Sequence, residues 1–152
     1  MPSMVLDPKL MQFIKPTLDT PFHIDYAWWE RQGLDMNMKL VSHLCPEHRE
    51  AYVGEPLDDK IDWVDWETGE VRQVDGLQYV ITTHCSNQPG YVADAPTIIE
   101  SVFRAFLANG NKPLSPKALA PLINQPADRV LRVLAGRQVR LGIRPTREDA
   151  AA

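Results

Sequence analysis

The chain has 152 residues, 44% hydrophobic and 24% charged, with 16 Lys+Arg against 20 Asp+Glu for a net charge of −4. This is ordinary globular composition, enough for one full core or two very small ones. No run approaches the ~18 apolar residues of a membrane span, and MPSMVLDPKL lacks the basic start and apolar stretch of a signal peptide. The expectation is a cytoplasmic protein whose two cysteines are thiols or metal ligands rather than a disulfide.

The net charge conceals an asymmetry. Residues 1–96 hold 7 basic and 16 acidic residues, a net −9, whereas residues 97–147 hold 9 basic and 2 acidic residues, a net +7. The turn formers of Ser86–Pro96, SNQPGYVADAP, lie between them. This pattern predicts an acidic domain over 1–94, a basic domain over 95–147 and a frayed tail over 148–152. The 13 prolines argue against long continuous helices.

In chain order, Phe22–Tyr26 reads as a short strand and Trp28–Leu44 as a helical run interrupted by Gly33. Lys60–Val74 reads as a hairpin turning at Thr68-Gly69, with Glu70–Val74 as the return strand. Leu77–Cys85, LQYVITTHC, is β-branched and aromatic and is the strongest predicted strand. The acidic half is therefore expected to be a small α+β domain with a three- to four-stranded sheet. All four tryptophans, Trp28, Trp29, Trp63 and Trp66, lie in it and are expected to anchor its core.

Beyond residue 96, TIIESVFRAFLAN carries a broad apolar stripe with Thr97 as N-cap, ended by Asn109-Gly110. Ser115-Pro116 opens a second helix with Leu119, Leu122 and Ile123 on its apolar face. Pro121 falls inside that helix, which must be short or kinked. Pro126 opens a third, with Ala127, Val130, Leu131 and Leu134 facing inward. Val139, Leu141 and Ile143 then alternate as a short strand. Three short helices with PLSPKALAPLI and PADRVLRVLAG as the second and third, followed by RQVRLGIRP, resemble a winged helix-turn-helix domain with a truncated wing. The resemblance covers about a third of the chain and implies that the third helix enters the major groove of DNA while the wing meets phosphate. Arg129 and Arg132 would then face the groove, with Arg137, Arg140 and Arg144 along the wing and Lys117 on the second helix. A cationic face that docks on a protein, or on the chain's own acidic half, carries the same residues.

Both cysteines and all four histidines lie in the acidic half. Cys45-Pro46-Glu47-His48 has the reach of a zinc knuckle, and His84-Cys85 holds the only other cysteine. Thiolate and imidazole are ligands that zinc prefers. The expected structural zinc site is Cys45, His48, His84 and Cys85, with His43 or His23 as substitutes for His84. Two buried free cysteines among surface histidines fit the same pattern. No phosphate-binding glycine loop, HExxH or serine elbow is present, so a Cys/His metal-dependent enzyme is the lesser reading. Together these features predict a small DNA-binding protein, a transcriptional regulator without catalytic residues. Duplex DNA is its expected ligand, and a protein partner or homodimer contact is an alternative use of the same surface.

Overall fold

The computed structural model of the protein describes residues 15–52, 60–64 and 67–146. Three six-residue helices follow the first strand: α1 (Tyr26–Arg31), α2 (Met36–Val41) and α3 (Pro46–Ala51). Asp25 and Asp35 cap the first two by accepting from the amides of Ala27 and Asn37. Gly33, at φ +66°, turns the chain between them. The expected helical run is thus two helices meeting at that glycine. The hairpin pairs β2 (Lys60–Val64) with β3 (Val71–Asp75), antiparallel with Val64 opposite Val71.

Leu77–Cys85 is not a strand. It forms helix α4 (Gly76–Thr83) and a 3-10 turn, Cys85–Asn87. Leu77, Ile81 and Cys85 stand four residues apart and are all fully buried, so helical spacing is what aligns them with the core. The threonines that favour a strand are accommodated by their hydroxyls. Thr83 Oγ1 donates to the Tyr79 carbonyl at 2.7 Å, and Thr82 Oγ1 donates to the Leu107 carbonyl of the helix packed alongside. Tertiary burial here overrides local β-propensity.

The basic segment contains α5 (Ile98–Ala108), α6 (Pro116–Ile123) and α7 (Ala127–Leu134). Thr97 and Ser115 cap the first two through the amides of Glu100 and Ala118. Helix α6 keeps Pro121 within two turns and ends at Asn124 in the left-handed conformation. Strand β4 (Ile143–Pro145) does not pair within this segment. It lies antiparallel to β1 (Phe22–Ile24), with His23 opposite Arg144, and Phe22 also bridges Leu114. Asn111 completes the junction: its side-chain amide accepts from the Ile24 amide at 2.8 Å and donates to the Ile24 carbonyl at 2.9 Å. These pairings cross the boundary expected at residue 94.

Among the described residues the fold is therefore mainly helical, with seven α-helices and two two-stranded antiparallel ladders. This replaces the three- to four-stranded sheet expected of the acidic half, because the residues of its strongest predicted strand are helical and β1 finds its partner at the far end of the chain. Helix α5 is the hub. It packs on α4, α6, α7 and β1, and its Phe103 and Phe106 are fully buried beside Phe22, Leu119 and Val130. Each such side chain contributes roughly 1.5–3 kcal/mol by leaving water. Trp29 is buried in this core and Trp28 packs on it, as expected of anchors. The side chains of Trp63 and Trp66 and the tail at 148–152 lie outside the described residues.

The alternation at Val139–Ile143 also resolves differently. Arg140 and Ile143 close a tight turn with Leu141 at φ +53° and Gly142 at φ +73°, the signs of a type I′ turn. Two hydrogen bonds hold it: Trp29 Nε1 donates to the Leu141 carbonyl at 3.1 Å, and the Asp25 amide donates to the Gly142 carbonyl at 2.8 Å. The approach is so close that a Cβ on Gly142 would lie 2.6 Å from Trp29 Nε1. Strand character is confined to Ile143–Pro145.

Candidate metal site and basic groove

Pro46 begins α3 and leaves Cys45 at its N-cap, so one helical turn brings His48 back over the cysteine. Cys45 Sγ lies 3.2 Å from His48 Nδ1. The 3-10 turn after α4 delivers Cys85 to the same point, with its Sγ 3.4 Å from Cys45 Sγ and 3.9 Å from His48 Nδ1. Tetrahedral zinc, with bonds of ~2.3 Å to sulfur and ~2.0 Å to nitrogen, places ligand atoms about 3.5–3.8 Å apart. The three observed separations bracket that range. Cys45, His48 and Cys85 therefore lie close enough to hold one metal ion.

Both thiols are withdrawn from solvent, and burial pushes the Cys85 thiol up to about 11 while the Cys45 amide, donating to its sulfur, opposes this. In the free protein that group is a thiol, and a bound ion would have to displace its proton.

His84 stands beside the trio rather than in it. Its ring is 4.3 Å from that of His48, but its Nε2 lies 3.6 Å from a Glu47 carboxylate oxygen. Glu47, His48 and His84 form a second, more exposed group of candidate ligands. Glu47 was not among the expected ligands, and its only sequence signal is its position between Cys45 and His48.

Neither substitute for His84 joins either group. His23 lies on β1 opposite Arg144. His43 is buried in another network, where its Nδ1 accepts from Arg104 Nε at 3.0 Å and its carbonyl accepts from the Tyr91 hydroxyl at 2.6 Å. Arg104 also donates to the Tyr91 carbonyl and stacks over the Tyr91 ring at 4.8 Å. This arrangement ties the loop that carries Cys45 to α5. Burial, with Arg104 and Lys39 adding positive charge, drives the His43 imidazole down to about 4, and burial pushes the Tyr91 phenol up.

The basic segment divides its cations. On α7, Val130 and Leu134 are buried while Arg129 and Arg132 are exposed on the opposite face. With Val133, Gly136 and Arg140 they line an open groove of about 380 Å³ that has no acid in its wall. Arg129 donates to the Gln125 side chain at 3.2 Å. Among the described residues Arg129, Arg132, Arg137 and Arg140 form no ion pair, whereas Arg144 pairs with Asp25 at 3.2 Å and Lys117 with Asp19 at 3.6 Å. Asp25 also holds Arg31 at 3.2 Å. No helix among the described residues is long and apolar enough to cross a membrane. No protein family, curated protein or solved structure matches this chain.

Proposed function

We propose that this protein binds duplex DNA through α7 and the turn that follows it. The observation that carries the reading is the groove walled by Arg129, Arg132 and Arg140, which has no acid in its lining, with Arg137 exposed nearby. A helix of eight residues is about 12 Å long, and the major groove is wide enough to admit it. Guanidiniums without an acid partner are available to phosphate and to base edges. The winged-helix resemblance supports the same orientation, with α7 as the reading helix. Arg144 and Lys117 serve the fold in this account, since each is already paired with a carboxylate of the acidic half. Those two pairs are also the contacts that a self-docking basic segment would use, and they leave the groove uncovered.

The finer reading of the metal site is a structural zinc ion held by Cys45, His48 and Cys85, with His84 turning from Glu47 to become the fourth ligand. Such an ion would join α3 to the turn after α4, residues 40 apart in sequence, and so brace the acidic half. Purified protein is expected to contain one zinc per chain, and its removal by a chelator should lower Tm markedly. Zinc-free protein with the same Tm would contradict the structural role.

Binding is tested by fluorescence anisotropy of the full chain with a labelled generic duplex at low salt. The expected result is saturable binding that weakens steeply as salt is added. Failure to bind at low salt would remove the DNA reading, and capture of an acidic protein instead would favour a protein partner.

A further inference from the structure

The two candidate ligand groups overlap, and their order from solvent inward has a direction. Glu47 is 79% exposed at its side chain and His84 44%, while Cys45 and Cys85 are 7% and 0% exposed. Ligand chemistry changes along the same line, from a hard carboxylate through imidazoles to soft thiolates. His48 belongs to both groups, and His84 belongs to the outer one, with its ring 4.3 Å from that of His48. A hydrated divalent ion meets no thiol at the surface. The groups it meets first are Glu47 and His84, 3.6 Å apart.

We propose that Glu47, His48 and His84 form a loading site for a divalent ion of the zinc class, and that Glu47 is the ligand given up when the ion moves to the buried thiols. The inference rests on the metal reading above and adds a route of entry to it. The exchange is balanced in simple terms. The Glu47 carboxylate and bound waters leave the ion, Cys45 and Cys85 bind it as thiolates, and one proton per thiol passes to solvent. His48 and His84 remain ligands throughout, so the ion is never released between the two positions. Glu47 touches the ion only on the way in or out. It therefore sets the rates of uptake and release and not the final affinity.

Cobalt(II) tests this directly, because thiolate-to-cobalt charge-transfer absorption reports the inner position alone. Metal-free protein is mixed rapidly with cobalt and the band is followed in time. In the native protein the observed rate should level off at high cobalt, as expected when a preceding complex fills. In Glu47→Gln, uptake should slow on the order of tenfold, the scale of a lost capturing charge. Release into excess chelator should slow by the same factor, with the equilibrium affinity at its native value. His84→Asn should instead weaken the affinity itself.

Native uptake rates in Glu47→Gln would overturn the loading role. So would weakened affinity in that variant, since Glu47 would then be a ligand of the final site. If the native protein develops no charge-transfer band, the metal reading itself fails and the loading proposal falls with it.

Discussion

Arg104 and Arg144 differ from Arg129, Arg132 and Arg140 in what surrounds the same functional group. Arg104 is bonded to His43 and the Tyr91 carbonyl and stacked on the Tyr91 ring, and Arg144 is paired with Asp25 where β1 meets β4. The other three wall a groove without an acid. A count of cations along residues 97–147 cannot separate these roles. The difference lies in which acids and carbonyls the fold carries to each guanidinium, and it divides cations bound into the protein from cations left without an acid partner.

The strongest way to break this comparison is at the turn that joins the two regions. Gly142→Ala puts a methyl group against Trp29 and asks alanine to hold φ +73°. Strain and overpacking together should cost roughly 3 kcal/mol. Because Arg140 lies in the same turn, duplex affinity should fall with stability, as read by urea unfolding and anisotropy on the same preparation.

Acid should attack the seat of Arg104. The folded His43 imidazole sits at about 4 against an ordinary 6.5. Between those values the unfolded chain holds a proton that the folded chain lacks, so stability rises with pH. It is present in full above 6.5 and is lost as pH falls towards 4, by about 3 kcal/mol in all. Urea midpoints at pH 7, 5.5 and 4.5 should show the fall, and His43→Gln should flatten that part of the profile.

A smaller effect is expected at the paired arginine. Arg144→Ala loses a partly exposed ion pair and should cost at most about 1 kcal/mol. Its effect on duplex affinity should be smaller than that of Arg132→Ala, which in turn should change stability by less than about 0.5 kcal/mol.

Much of the basic segment was legible in the sequence because its signals are local. Thr97, Ser115-Pro116 and Pro126 mark helix starts, and the apolar stripes of α5, α6 and α7 are helical in period. Cys45-x2-His48 was legible for the same reason, since one helical turn closes it, and the second cysteine lies where the pairing of sulfurs required. What was not legible depends on distant residues. Leu77–Cys85 reads as a strand until Leu77, Ile81 and Cys85 are seen to need one buried face. Val139–Ile143 reads as a strand until Trp29 and Asp25, more than a hundred residues away, fix its turn. Pairing of Phe22–Ile24 with Ile143–Pro145 leaves no trace in either segment alone. Glu47 escaped because a single exposed acid gains meaning only when His84 is beside it.

The central claim is that the unpaired arginines of α7 and its turn are the DNA contacts. Duplex affinity measured across a salt series, for the native chain and for Arg129→Ala/Arg132→Ala/Arg140→Ala, tests it most directly. Each lost phosphate contact lowers the slope of log affinity against log salt by about 0.9, so the triple variant should lose up to about 2.7 and bind weakly at every salt concentration. A triple variant that keeps the native fold, affinity and slope would contradict the account.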